Sequence, residues 1–197
     1  MDEKIAQALV DAEVVKFGEF TLASGDVSPI YIDLRVIPSF PDAFQIIAEE
    51  LGKLASKIKF DKLAGAETAG IPYAAAIALT NNKPMIYVRK RPKRYGTQSS
   101  IEGVMNKDEK VVLVDDLATS GYSKVKFIDG IRADGGIVED LIIVLDREQG
   151  CKEALAEKGV KVHCLITLKD LLKYMKSNEI ITPEDYKQVL RYLEENK

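Results

Sequence analysis

The chain is poor in the residues that most often announce a site. It holds one histidine, His163, and two cysteines, Cys151 and Cys164. Two cysteines build no disulfide framework, and a reducing compartment, the cytoplasm, is expected. No CxxC or paired-histidine spacing occurs, so no structural zinc site and no metal-ligating residues are expected. His163 alternates with Val162 and Cys164, which reads as a structural or solvent-facing histidine on a strand; catalysis through histidine is not expected. No apolar run approaches about 20 residues, the length of a membrane-spanning helix. The N-terminal MDEKIAQALVDAEVV is acidic and amphipathic and is not expected to be a signal peptide. A net charge of −3 excludes a surface built as a whole for nucleic acid or an anionic membrane, so any basic patch is local. Repeats, linkers and low-complexity tracts are missing. The 197 residues suit one domain with a small appendage and can bury a real core.

What is present centres on residues 111–123, VVLVDDLATSGYS. A short apolar run with no polar interruption, closed by acids, reads as a strand buried on both faces of a parallel sheet. Ligands of open α/β sheets sit at the carboxyl ends of such strands, where Asp115, Asp116 and the Thr119-Ser120-Gly121 turn fall. A helix starting near Gly121 offers unpaired N–H groups and a positive dipole end, and Thr119, Ser120 and Ser123 add hydroxyls. That is a phosphate cradle, although no Gly-Lys-Ser/Thr of a Walker loop is present. Two carboxylates beside it would repel a bare phosphate; they make sense facing sugar hydroxyls or a metal-bound group. A phosphorylated sugar satisfies both halves. The alternative, an ordinary strand with an Asp-rich cap, needs only one such residue.

In chain order, Ile5, Leu9, Ala12 and Val15 predict a helix over 3–16. Phe20, Leu22, Ile30 and Ile32 alternate around a turn within 17–35, predicting two short strands. A helix is expected over 41–58, with Pro41 in its first turn and Ser39 as a possible cap. A strand at 62–66 leads through Gly65-Ala66-Glu67-Thr68-Ala69-Gly70, a second anion-cradle candidate, into a helix at 72–79. After a strand at 85–89, five of the six residues from 89 to 94 are basic, and no pattern returns until Lys110. A structureless span of that length reads as a lid or binding loop, with a solvated basic loop or nucleic-acid patch as the alternative. Val125, Ile128, Ile131 and Arg132 continue the helix begun near Gly121 up to Gly135-Gly136. Residues 141–145 form another buried strand and place Arg147 at the ligand edge; its fork suits a planar carboxylate, unless Asp146 or Glu148 pairs with it. A helix at 152–158, a strand at 161–167 and helices at 168–175 and 183–193 complete the chain. Strands and helices alternating from 60 to 168 predict an α/β fold, a mostly parallel central sheet with helices on both faces.

Several of these strings resemble known proteins. Residues 111–123 look like the ribose-5-phosphate signature of the type I phosphoribosyltransferases, which bind phosphoribosyl pyrophosphate (PRPP). The string FGEFTLASGDVSPIYIDLR is similar to the N-terminal "F-G-x-F-x-L-x-S-G … S-P-x-Y-x-D" of orotate phosphoribosyltransferases, which other PRPP-binding families lack. Residues 89–96 resemble the catalytic loop "R-K-x-x-K-x-[His or Tyr]-G", and 145–150 the stretch "L-D-R-x-x-G". The resemblance implies a type I phosphoribosyltransferase fold: a small N-terminal hood over 1–40, a PRPP-binding core over 41–168, and C-terminal helices over 169–197 packed on either. It implies that Asp115 and Asp116 hold the ribose hydroxyls, that the turn of Ala118, Thr119, Ser120, Gly121, Tyr122 and Ser123 holds the 5-phosphate, and that Leu117 belongs to the same PRPP-binding stretch. Arg89, Lys90, Lys93 and Tyr95 would serve the pyrophosphate, with Lys93 and Asp116 as the catalytic residues. Tyr31, Thr119 and Arg147 would meet orotate. It further implies Mg²⁺ bound mainly by substrate oxygens, and a homodimer in which the loop reaches the neighbour's site. The activity implied is transfer of phosphoribose from PRPP to orotate, giving orotidine 5′-phosphate on the way to UMP. The alternatives are another base, or a PRPP-sensing regulator without catalysis. Ala23 and Ala69 stand where relatives often carry lysine.

Overall fold

The structure, a computed structural model, describes residues 2–21, 25, 27–91 and 99–195. Its elements are α1 (Glu3–Asp11), β1 (Val15–Thr21), β2 (Val27–Ile32), a 3-10 turn (Leu34–Ser39), α2 (Pro41–Ala55), β3 (Lys62–Ala66), α3 (Gly70–Asn81), β4 (Met85–Val88), β5 (Ile101–Glu102), β6 (Lys110–Ala118), α4 (Tyr122–Ala133), β7 (Ile137–Asp146), α5 (Cys151–Ala156), β8 (Lys161–Thr167), α6 (Leu168–Ser177) and α7 (Pro183–Glu195). The large sheet runs β5-β4-β3-β6-β7-β8, parallel throughout except for the antiparallel edge pair β4–β5. β1 and β2 form a separate antiparallel hairpin.

The apolar runs become strands because both faces are covered. Alternate side chains point to opposite faces, and two hydrophobic clusters divide accordingly. Leu63, Val112, Val114, Ile142 and Val144 pack with α1, α2, α3, α6 and α7. Ala64, Val111, Leu113, Leu141 and Ile143 pack with Phe127, Ile128 and Ile131 of α4 and with α5. Each such valine, leucine, isoleucine or phenylalanine, fully withdrawn from water, contributes about 1.5–3 kcal/mol. The first cluster is continuous from α1 through the hairpin to α7. Two buried or half-buried tyrosines tie it together: Tyr73 donates from α3 to the Leu34 carbonyl at 2.6 Å, and Tyr174 donates from α6 to Gln7 at 2.6 Å.

The mostly parallel sheet with helices on both faces is as the sequence predicts; several boundaries are not. The first helix stops at Asp11 instead of continuing to 16. Glu13 takes a left-handed backbone, φ 50, which turns the chain, and Val15 opens β1 opposite Ile32. Val15 suited both the helical stripe and the strand, and pairing with Ile32 decided it. The second helix is capped by Phe40 rather than Ser39, with no side-chain hydrogen bond, and ends at Ala55 short of 58. The 99–109 stretch contains the short β5. The third helix begins two residues early, at Gly70, and β6 carries on through both aspartates to Ala118.

Candidate active site

β6 delivers Asp115 and Asp116 to its carboxyl end on successive positions, so they face opposite sides of the sheet. Asp115 is buried on the α4 side. Its Oδ2 accepts from Lys124 Nζ at 2.5 Å, and its Oδ1 accepts from the Asp116 N–H at 2.9 Å. Asp116 Oδ1 accepts from the Leu117 N–H at 2.7 Å. Burial first, and the charge of Asp115 second, push the Asp116 carboxyl up to about 6, with Lys124 pulling the other way. On the same side Tyr73 is buried; desolvation and then the charge of Asp116 raise its hydroxyl's pKa.

Beyond the acids the chain turns at Gly121, left-handed with φ 81, into α4. No side chain caps this helix; the Lys124 and Val125 N–H groups return to the Gly121 carbonyl at 2.9 and 3.1 Å. The first N–H groups of a helix have no intrahelical acceptor, which is the arrangement that an anion cradle uses. A Cβ at position 121 would come within 3.2 Å of Cys151 Sγ at the start of α5, a tight contact added to the left-handed conformation that favours glycine there. Burial pushes the Cys151 thiol up to about 11, which leaves it inert. Tyr122 is exposed, with the Lys126 ammonium 4.5 Å from its ring.

The second cradle candidate lies directly against β6. A Cβ on Gly70 would overlap the Val114 carbonyl oxygen and reach within 3.0 Å of Asp115 Cα; one on Gly65 would lie 2.9 Å from Ile71 Cα. The 67–70 loop, whose Glu67–Thr68 peptide is cis, is therefore seated on the strand bearing the aspartates. Glu67 also holds the basic segment, accepting from the Lys90 N–H at 2.8 Å, while its own N–H donates to the Val88 carbonyl at 2.9 Å. Arg89 pairs with Glu102 of β5 at 3.2 Å, and the Lys90 side chain is exposed. Lys93, Tyr95 and Gly96 lie outside the described residues, as does Ala23.

Arg147 follows β7, and its N–H donates to the Ala118 carbonyl at 3.0 Å, joining it to the turn after β6. Its Nε and Nη2 are buried with no hydrogen-bond partner. Neither expected acid neutralises it: Asp146 pairs with Lys152 at 3.0 Å and accepts from the Glu148 N–H at 2.9 Å. Burial lowers the guanidinium pKa, and the Tyr192 hydroxyl from α7 opposes that. Orphan buried donors cost about 1–3 kcal/mol each, so a cationic fork left this way suits a ligand that brings its own acceptors. Tyr31 stands in the hairpin, its ring 5.5 Å from Phe20 and its hydroxyl accepting from Arg35 at 2.7 Å. α7 packs on β2 and carries Tyr192 to Arg147, linking the hairpin side to the strand ends.

His163 is structural, with Nε2 2.7 Å from Asp140 on the neighbouring strand. Among the described residues no group of three or more His, Cys, Asp or Glu could hold a metal ion, and no helix is long and apolar enough to cross a membrane. Sequence reasoning missed Lys124, Tyr73 and Tyr192. Lys124 carried a usable signal: it stands on the stripe Lys124, Phe127, Ile128 and Ile131, the buried face of α4, of which the expected stripe contains Ile128 and Ile131, while its Val125 packs at the edge.

No family model matches the chain. It is 39% identical to an orotate phosphoribosyltransferase of Staphylothermus marinus, over 99% of this chain and 96% of that protein. Among solved structures, it resembles the UMP synthase of Leishmania donovani with a TM-score of 0.88 and 36% identity, matching 98% of this chain but spanning only 42% of that one. It also resembles the Mycobacterium tuberculosis orotate phosphoribosyltransferase in complex with PRPP, with a TM-score of 0.71 and 25% identity, over 85% of this chain and 98% of that one.

Proposed function

The chain belongs to the orotate phosphoribosyltransferase family of transferases, and we propose on that premise that it joins orotate to the phosphoribosyl group of PRPP, releasing pyrophosphate and orotidine 5′-phosphate for de novo pyrimidine (UMP) biosynthesis. The observation that carries this reading is the hydrogen bond from the Arg147 N–H to the Ala118 carbonyl. It sets a buried guanidinium with unpartnered donors beside the turn suited to a sugar phosphate, and orotate supplies the planar carboxylate such a fork prefers. A purine base brings no carboxylate to that position, and a regulator that only senses PRPP has no need of it.

The proposed reaction is a displacement at the anomeric carbon through an oxocarbenium-like state. The turn from Ala118 through Ser123, which follows Leu117, takes the 5-phosphate on its N–H and hydroxyl groups. Asp116 and Asp115 accept from the ribose hydroxyls; the remaining lone pairs of Asp115 leave room for one beside Lys124. Arg147, Tyr31 and Thr119 orient the base. Arg89 and Lys90, with Lys93 and Tyr95 of the adjoining segment, stabilise the charge that gathers on departing pyrophosphate and exclude water from the sugar cation. The donor set fits a Mg²⁺ that arrives on PRPP, held chiefly by pyrophosphate and ribose oxygens beside the two aspartates. Bound there, the ion would supply charge neutralisation to the leaving group. Orotate entering as the dianion, with its N1 proton already lost to solvent, needs no general base. We further propose a cytoplasmic homodimer with shared sites, in which the 1–40 hood and the C-terminal helices over 169–197 frame a 41–168 core.

The test is consumption of orotate with PRPP and Mg²⁺, with adenine, guanine, hypoxanthine and uracil in parallel. Orotate is expected to be consumed and the other bases left. Turnover of another base with orotate untouched would falsify the assignment.

A further inference from the structure

Lys124 is a residue of the site that the sugar-phosphate motif does not explain. It lies in the first turn of α4, three residues after Gly121, on the face that otherwise buries Phe127, Ile128 and Ile131. Its side chain is 8% exposed and that of Asp115 is 7% exposed, so the pair is desolvated. Two effects oppose a cation here: loss of hydration, and the positive end of its own helix. An aliphatic side chain would avoid both. The compensation is Asp115, which without a partner would be a buried charge beside a turn that has to accept an anion. Two adjacent carboxylates next to a phosphate cradle are an electrostatic conflict, and Lys124 is placed to relieve it from behind.

We propose that Lys124 is a positioning residue for the phosphoribosyl group: its ammonium cancels the charge of Asp115 from inside the protein and ties α4 to the end of β6, so that the intervening turn can receive a phosphate beside two acids. This rests on the reading of that turn as the 5-phosphate site. Lys124 acts through Asp115 and the turn and does not itself contact substrate.

The experiment compares Lys124→Met, Lys124→Arg, Asp115→Asn and the Lys124→Met/Asp115→Asn double variant of the whole chain. PRPP binding is measured by calorimetry without base, and KM and kcat for both substrates by steady-state kinetics. Lys124→Met is expected to weaken PRPP binding by about tenfold or more while the KM for orotate stays within about twofold. Lys124→Arg is expected to return PRPP affinity to within about threefold of the parent protein. In the Asp115→Asn background the same Lys124→Met change is expected to cost less than about threefold, because the charge it would strand is gone. An equal loss in both backgrounds, or a fall in kcat with both affinities unchanged, overturns the proposal. Should Lys124→Met fail to fold, the double variant, which strands no charge, decides: PRPP affinity matching Asp115→Asn supports the role, and a further loss of about tenfold overturns it. Parent protein that binds no PRPP overturns the reading of the turn as well; parent protein that binds it, with a flat Lys124 series, overturns the role of Lys124 alone.

Discussion

Gly70 and Val114 meet backbone to backbone, so closely that a Cβ on Gly70 would overlap the Val114 carbonyl oxygen and lie 3.0 Å from Asp115 Cα. The contact locks the loop after β3 onto the strand carrying the acids. Neither partner can yield as a flexible side-chain tip would. Gly70→Ala is therefore expected to destabilise by about 1–3 kcal/mol or more, which lowers the unfolding midpoint by roughly 2–4 °C per kcal/mol, and to reduce turnover by displacing Asp115. Gly159→Ala is the control: its φ is 69 but a Cβ there meets nothing within 4 Å. It should cost about 1–2 kcal/mol of left-handed strain and leave kcat unchanged. Thermal unfolding and steady-state kinetics on the two variants check this, and equal kinetic effects would count against the lock.

The Asp116 carboxyl, pushed up to about 6 by burial and then by Asp115, separates the pH dependence of activity from that of stability. It has to be ionised to accept from a sugar hydroxyl, so kcat/KM for PRPP should rise with pH through about 6. Stability runs the other way. The folded state holds this proton more tightly than the unfolded chain, whose carboxyl titrates near 3.8, so the contribution is complete below that value and is lost as pH rises through about 6. After discounting for partial exposure it amounts to about 2 kcal/mol. Asp116→Asn should abolish the acid limb that belongs to the enzyme, keep the part due to phosphate titration of the substrate, and gain stability at neutral pH. Rate profiles and urea midpoints at pH 5 and 8, in parent and variant, read both effects; a variant that keeps the full acid limb contradicts the assignment.

The central strands were legible because burial on both faces writes an uninterrupted apolar run: β3 and β8 occupy the expected 62–66 and 161–167. The positions of Asp115, Asp116, Gly121 and Arg147 at strand ends followed from the same logic. What the sequence hid depended on partners distant in the chain. Val15 fits a helical stripe and a strand equally, and pairing with Ile32 decides between them. The two residues of β5 have no pattern of their own and are ordered by β4, across which Arg89 meets Glu102. Lys124 reads as a surface lysine until Asp115 is seen beneath it. The lack of an acid partner for Arg147 was equally hidden, since Asp146 and Glu148 flank it in sequence and Lys152 takes the first of them away.

The Arg147 guanidinium has the Tyr192 hydroxyl beside it but no acid, and that shortage of partners carries a stability penalty. With Nε and Nη2 buried and unpartnered, the guanidinium costs the free protein about 1–3 kcal/mol per orphaned donor. Arg147→Met keeps the length and removes the unmet donors. It is expected to raise the unfolding midpoint of the ligand-free protein by a few degrees, while the KM for orotate rises by about a hundredfold or more and PRPP binding stays within about twofold. Differential scanning calorimetry and calorimetric titration of each substrate measure the two sides. A variant that loses stability would mean that the Tyr192 contact outweighs the unmet donors and that the guanidinium is not held ready for a ligand.

If the basic segment containing Lys93 serves the neighbour's site, then Lys93→Ala and Arg147→Ala fall in different sites of a mixed dimer. Each homodimer carries one defect in every site and should be nearly inactive. In a heterodimer with shared sites, one site collects both defects and the other has neither. Differently tagged subunits, co-expressed and purified through both tags, give a population of heterodimers alone, whose specific activity should be about half that of the parent protein. Sites built within single subunits predict no recovery, because every site in the mixture keeps one lesion. The orotate KM of the recovered activity adds a second reading: it should equal the parent value, since the working site retains its own Arg147, whereas recovery with a raised KM would mean that the intact lid had partly compensated for a damaged base site.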